Sequence, residues 1–260
     1  EDRLERRQAA LQRLQAITAD PENSREDKID ALLRLGADYF SLPYGILSRV
    51  EGDDYWIQQA VSPDGALAAG QHFDLGVTYC THTLAAGGPT GFPHVAASTI
   101  NDHPCYRTQG MEAYLGTPIQ VEGRVYGTLN FSAPEPRAAF SDFEWGLLEL
   151  MGQWISGELT QGAYREAVEA SNAELEQFAY AISHDLKEPL RSITGYLNLL
   201  RRRFDDQLPE KAAGYVAAAE EGGARMGRMI DALLAYSRIK RMGEAFEPVA
   251  LDEALEGALE

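Results

Sequence analysis

The residues with the clearest chemical potential form one run, Ser183-His184-Asp185-Leu186-Lys187-Glu188-Pro189-Leu190-Arg191. Apolar residues recur around it at Ile182, Leu186, Pro189/Leu190, Ile193, Leu197, Leu200 and Phe204. The spacing by three and four is that of a helix with one buried stripe. At ~100° per residue, His184 projects about 170° from the centre of that stripe, with Lys187 and Arg191 on its outward side. The imidazole is therefore expected to stand in solvent, beside cations and next to the carboxylate of Asp185. A displayed imidazole with an adjacent acid suits proton transfer or acceptance of a phosphoryl group. The bland alternative is an ordinary surface histidine on a dimer helix.

The elements around this run divide the chain. Residues 1–18 carry an apolar stripe at Leu4, Leu11, Leu14 and Ile17 and predict a helix. Pro21-Glu22-Asn23-Ser24 breaks it, and Ser24 is placed to cap a second helix over about 25–40. The period then changes. Tyr44–Val50 and Tyr55–Val61 predict strands around the turn Glu51-Gly52-Asp53-Asp54. Residues 76–87 predict a helix ending at Gly87-Gly88-Pro89, and His94–Ala97 a short strand. Ala113–Val121 and Arg124–Ser132 predict a hairpin through Glu122-Gly123. Helices around a mostly antiparallel sheet make this part an α+β domain.

From Ser141 the helical period returns. Ser141-x-x-Glu144 is a capping-box pattern. A sevenfold recurrence at Val168, Leu175, Ile182, Pro189 and Tyr196 suits a parallel coiled coil running into a bundle. Asp205-Asp206-Gln207-Leu208-Pro209 predicts a break. A second helix over about 210–240 repeats the pattern at Val216, Gly223, Ile230 and at Ala219, Met226, Leu233. One such hairpin cannot close a core alone. Two copies make a four-helix bundle, so a homodimer is expected.

Composition excludes several classes. A net charge of −17 argues against nucleic-acid binding through a basic surface. No uncharged apolar run reaches ~18 residues, so no membrane span is expected in this chain. Two cysteines are too few for a disulfide framework, which points to a reducing, cytoplasmic setting.

The stretch FAYAISHDLKEPLRSITGYLNLL, followed by a helix closing LLAYSRI, resembles the dimerisation and histidine-phosphotransfer (HisKA) domain of sensor histidine kinases, of the phytochrome-like type. The resemblance implies that His184 is autophosphorylated from ATP and Mg2+. It also implies transfer of the phosphoryl group to an aspartate on a response regulator receiver domain. Asp185 would orient the imidazole or accept its proton, and Pro189 would bend the helix just beyond it. Glu188 occupies the position where many such families carry Thr or Asn for dephosphorylating the regulator, which implies weak or absent phosphatase activity. The pieces LGVTYCTHTL and AYLGTPIQVEGRVYGTLNFSAPEPR resemble a GAF domain. The expected organisation is a connector helix over 1–20, a GAF sensor over 21–160 and a HisKA domain over 161–241. Residues 242–260 would begin an ATP-binding domain that this chain lacks, so the fragment alone would be inactive as a kinase. Two alternatives are a histidine phosphotransfer protein and a dimeric signalling scaffold, each without its own kinase domain.

The sensor half offers weaker signals. Cys80 and His82 diverge by about 200° on a helix and would not share a metal ion, so no metal site is expected. Some GAF domains hold a linear tetrapyrrole on a cysteine followed by His. Here Tyr106 follows Cys105, which argues against a bilin, and the GAF ligand is left unassigned. Tyr79, Phe92, Tyr106 and Tyr114 are candidates to line a small-molecule cavity. His72, His94 and His103 share no ligand spacing.

Overall fold

The computed structural model describes residues 2–63, 65–204 and 207–239. The chain falls into two compact units, Glu1–Tyr164 and Arg165–Glu260. The first begins with α1 (Asp2–Ala19) and α2 (Arg25–Phe40). Ser24 caps α2 by accepting a bond from the Asp27 amide at 3.1 Å. That leaves one orphan donor of the first turn satisfied. Six strands follow: β1 (Tyr44–Glu51), β2 (Asp54–Val61), β3 (His72–Asp74), β4 (Thr90–Phe92), β5 (Ala113–Val121) and β6 (Arg124–Ala133). They form one sheet in the order β3-β2-β1-β6-β5-β4, with every pair antiparallel.

Strand β6 is central and nearly all buried, as a strand covered on both faces must be. On one face Leu115, Ile119, Leu129 and Phe131 pack with Leu32, Leu33 and Phe40 of α2. Leu147, Met151 and Ile155, from the start of the next long helix, complete that core. On the other face Tyr55, Ile57 and Tyr114 pack with Tyr79, Cys80, Val95 and Cys105 from short helices. The β5–β6 turn holds Glu122 at φ 52° and Gly123 at φ 74°. Two successive left-handed residues are what a tight primed turn requires. Strands β1 and β6 approach so closely that a Cβ at Gly127 would lie 1.9 Å from the Ser48 carbonyl oxygen.

Two sequence expectations need correction here. The helix expected over 76–87 is a 3-10 turn, Leu75–Val77, followed by α3 (Cys80–Ala86). Asp74 Oδ1 accepts from the Gly76 amide at 2.7 Å and Thr78 Oγ1 donates to the Leu75 carbonyl at 2.8 Å. These local side-chain bonds close the first turn on itself and interrupt the helix. The strand expected at His94–Ala97 is a 3-10 turn, Val95–Ala97. The Val95 and Ala96 amides donate to the Glu112 carbonyl and carboxylate, at 2.8 and 3.1 Å, instead of to a sheet neighbour. The edge strand is β4, a few residues earlier, and a further short helix, α4, spans Pro104–Gln109.

Helix α5 runs from Asp142 to Phe204, and α6 from Glu210 to Ile239. The expected break lies between them; Asp205 and Asp206 are outside the described residues. So are residues 242–260, the stretch expected to begin an ATP-binding domain. No helix among the described residues is long and apolar enough to cross a membrane.

The N-terminus of α5 is fixed by a buried clasp. Glu144 Oε2 accepts from the Ser141 amide and hydroxyl, each at 2.8 Å, and the Glu144 amide donates back to Ser141 Oγ at 3.4 Å. Arg137 donates to both Glu144 and the Phe40 carbonyl, and its own amide donates to the Pro93 carbonyl at 2.8 Å. One arginine thus joins the end of α2, the loop after β4 and the start of α5. Burial pushes the Glu144 carboxyl up, but the Ser141 and Arg137 donors outweigh it and hold the group below its ordinary value. A lowered native value means the carboxylate stabilises the fold above the ordinary Glu range. That contribution is lost as pH falls through about 4.3 towards the native value. Glu144→Gln should cost about 1–3 kcal/mol in urea unfolding at pH 7. Its deficit against wild type should shrink below about pH 4, and a deficit that is flat with pH would contradict the clasp.

Candidate functional site

In the second unit the turn of α5 around His184 is presented to solvent. The His184 side chain is 71% exposed and that of Asp185 82%. His184 Nδ1 lies 3.2 Å from Asp185 Oδ1, which leaves Nε2 as the outward nitrogen. Glu188 is exposed, and its carbonyl accepts from Ser192 Oγ at 3.3 Å. The helix continues through Pro189. Proline has no N–H, so the Asp185 carbonyl has no intrahelical donor from position 189. Lys187 reaches across to α6, its Nζ 2.5 Å from Asp231 Oδ1. The four residues singled out from the sequence therefore share one turn and its immediate continuation.

The apolar stripe divides in two. Leu190, Leu197 and Thr194 are half-buried, and Leu190 and Thr194 meet α6 at Gly223. A Cβ there would lie 2.6 Å from Thr194 Cγ2, so glycine sets the approach of the two helices. Ile182, Leu186, Ile193, Leu200 and Phe204 remain exposed in the single chain, as do Met226 and Met229 of α6. A contiguous apolar stripe of this kind marks an interaction surface.

The first unit holds a cavity of about 110 Å³ between the sheet and the short helices. Tyr55, Tyr79, Cys80, Cys105, Tyr114 and Asn130 are among its walls. Of the four aromatics expected to line it, Tyr79 and Tyr114 do so. Phe92 and Tyr106 pack behind the wall instead, with Tyr106 donating to Glu112 at 3.1 Å. The cavity's polar groups are linked. Thr83 Oγ1 lies 2.7 Å from the Tyr114 hydroxyl, Thr128 Oγ1 donates to Cys80 Sγ at 3.2 Å, and Asn130 Nδ2 donates to the Tyr55 hydroxyl at 3.2 Å. Burial raises the Cys80 thiol, and burial with the Cys80 charge pushes Cys105 up to about 12. Both thiols are protonated at neutral pH, the less nucleophilic form. His82 turns away from Cys80 and packs on Phe92 and His103, with ring centroids 5.5 and 5.2 Å apart. Neither the convergence of Cys80 and Cys105 on one cavity nor the pairing of His82 with His103 had a signal in sequence spacing, since each joins distant elements.

Comparison with known proteins places both units. The GAF domain family matches residues 24–159, and the His Kinase A (phospho-acceptor) domain family matches residues 174–241. Cyanobacterial phytochrome A of Nostoc is 43% identical over 102 residues, which cover 39% of this chain and 13% of that protein. The methanogenesis regulatory histidine kinase FilI of Methanothrix harundinacea is 29% identical over 165 residues, 58% of this chain and 19% of that protein. The chain thus matches only a small part of the length of these relatives. Among solved structures, the GAF domain of an Acinetobacter phosphoenolpyruvate-protein phosphotransferase aligns with a TM-score of 0.50 at 14% identity. That alignment covers 63% of this chain and 96% of the other. A phycoerythrobilin-bound GAF domain from a cyanobacterial phytochrome aligns equally well, at 12% identity over 62% of this chain and 98% of the other. At such identity the likeness is one of fold. Since one of these similar folds is bilin-bound, the sequence argument against a bilin gains no support from the comparison.

The α5–α6 approach gives a direct test. Gly223→Leu should force the helices apart at Thr194 and cost about 1–3 kcal/mol, read as an earlier loss of helical circular dichroism on urea titration. Gly214→Ala, where nothing lies within 4 Å of the new Cβ, should be neutral or stabilise by about 0.5–1 kcal/mol. Equal losses in both would contradict close packing at Gly223.

Proposed function

The chain belongs to the GAF family and carries a His Kinase A phospho-acceptor domain, and we propose that His184 accepts the γ-phosphoryl of ATP and passes it to a response regulator aspartate. The observation that carries this reading is the exposed imidazole of His184, inside the matched phospho-acceptor segment, with Nδ1 set against Asp185. With the Nδ1 proton facing that carboxylate, the Nε2 lone pair is free to attack. A bond forms from Nε2 to the γ-phosphorus while the bond from phosphorus to the ADP oxygen breaks. The Nδ1 proton of the resulting cation passes to Asp185 or to water. ATP and Mg2+ are held by an ATP-binding domain, in the same protein or supplied in trans. Onward transfer breaks the Nε2–phosphorus bond as the regulator carboxylate oxygen bonds to phosphorus, and Nδ1 regains a proton from Asp185 or water to give the neutral imidazole.

A homodimer follows from the bare stripe: a second α5–α6 hairpin covers Ile182, Leu186, Ile193 and Phe204 and makes a four-helix bundle. The proposed domain limits are those expected from sequence, with the sensor over 21–160 and the phospho-acceptor part over 161–241. The cavity between the sheet and the short helices is where a small ligand would bias α3 and α4. Glu188 stands in this reading as an acceptor-only carboxylate that does not support regulator dephosphorylation.

Mixed with a matching ATP-binding domain and Mg-ATP, the chain should take up acid-labile, base-stable phosphate on His184. A His184→Gln chain that labels equally would overturn the assignment. Ile193→Asp places a charge in the bundle core and should convert a dimer to a monomer at micromolar concentration, measured by sedimentation. A wild-type chain that sediments as a monomer would remove the bundle.

A further inference from the structure

We propose that Lys187 is a charge-switching residue of the phospho-acceptor site, leaving Asp231 to neutralise the phosphoryl group once His184 carries it. The proposal rests on the reading of His184 as phospho-acceptor and adds to it a positioning residue and a change in the hairpin. Side chains on a helix lean towards its N-terminus, over the turn three and four residues back. Lys187 and Glu188 therefore flank His184, and Asp185 already lies 3.2 Å from its ring. The imidazole thus has one carboxylate in contact, with Lys187 and Glu188 three and four positions further along the same helix. Arg191 lies a further turn away.

A phosphoryl group adds about two negative charges, as on other phosphorylated side chains. Between Asp185 and Glu188 that charge is opposed by like charges, and Lys187 is the nearest cation along the helix. Before phosphorylation its ammonium is tied to Asp231 on α6, at 2.5 Å. Asp231 is 66% exposed, and an exposed ion pair of this kind is weak. A dianion one turn away outcompetes a solvated monoanion for the same ammonium. Among the described residues the ion pairs that join α5 to α6 are Lys187–Asp231 and Arg201–Glu220. The exchange therefore both neutralises the phosphoryl group and releases the strap nearer to it.

The full chain can be phosphorylated without a kinase by potassium phosphoramidate. The imidazole nitrogen forms the new bond to phosphorus, the bond from phosphorus to the ammonia leaving group breaks, and the imidazole proton goes to water. Mass spectrometry locates the label, with His184→Gln as the blank, and phosphorus NMR follows the titration of the phosphoryl group. A nearby ammonium favours the dianion, so Lys187→Gln should raise the titration midpoint by roughly 0.5 of a pH unit. Lys187→Arg should restore it, and Asp231→Asn, which frees the ammonium, should lower it. A lysine that serves only to join the helices would leave the midpoint alone. Coincident midpoints in wild type, Lys187→Gln and Lys187→Arg, with the label on His184, would overturn the proposal and leave the phospho-acceptor reading standing. A label that persists unchanged in His184→Gln would remove that reading and this proposal together.

Discussion

A two-helix hairpin can bury only one face of each helix, and the second unit depends on that constraint. Leu190 and Thr194 meet α6 at Gly223, while Ile182, Leu186, Ile193, Leu200 and Phe204 face water in the single chain. Burying one such aliphatic or aromatic side chain is worth about 1.5–3 kcal/mol. The ion pairs across the hairpin, Lys187–Asp231 and Arg201–Glu220, are worth about 0–1 kcal/mol each where exposed. The apolar stripe therefore dominates the energetics of this unit, and the proposed dimer is what satisfies it. His184 projects elsewhere on the same helix, so covering the stripe leaves the imidazole accessible. Burial and chemistry are separated by angle around one helix.

The sensor unit solves the opposite problem. Its sheet is covered on both faces, and what remains inside is polar and must be paired. Ser48 and Thr128 lie 2.9 Å apart, hydroxyl to hydroxyl, where β1 and β6 close on Gly127. Thr128 in turn reaches Cys80, and Asn130 reaches Tyr55. The Thr128–Cys80 bond crosses from the sheet to α3 and the others join strands, so the cavity wall is tied to the central strands by satisfied polar groups. On the other face the Arg137–Glu144 clasp holds the start of α5 against α2 and the loop after β4. The two faces are thus fixed by different chemistry: a hydroxyl and thiol chain on one, a charge-assisted clasp on the other.

Local signals carried most of the fold in the sequence. The Ser24 cap, the Glu122-Gly123 turn and the Ser141/Glu144 box each depend on residues within four positions, and each is found where it was expected. Part of what failed was set from further away. Strand β4 exists because Thr90–Phe92 meets Tyr114–Gly116, and the expected strand at 94–97 is held as a turn by Glu112. Helix 76–87 broke because Asp74 and Thr78 bond their own backbone, a choice that apolar spacing does not report. The single stripe around His184 proved to be two. Spacing by three and four identifies apolar positions but not which partner covers them, so residues facing α6 and residues facing outward merged into one pattern. The cavity walls were half legible: Tyr79 and Tyr114 line it, whereas Phe92 and Tyr106 fill the space behind.

The site itself is sparse, and its sparseness has a consequence. Around His184 the described structure offers Asp185 in contact, with Lys187, Glu188 and Pro189 placed by the helical repeat. Asp185 and Glu188 stand exposed beside the ring, and exposed carboxylates do not shield a reacting phosphorus from water. Catalytic power in phosphoryl transfer comes almost entirely from positioning and charge stabilisation, which an exposed helix turn cannot supply alone. The turn is thus built to be presented to other surfaces. In the proposed reading, whatever docks there brings the geometry, and the chain contributes the nucleophile, a neighbouring proton acceptor and a local charge balance. That balance is acidic at Asp185 and Glu188 and is corrected by a single lysine already engaged elsewhere. On the proposed reading Asp231 and a phosphoryl group compete for the same ammonium, which links the state of His184 to how α5 is tied to α6.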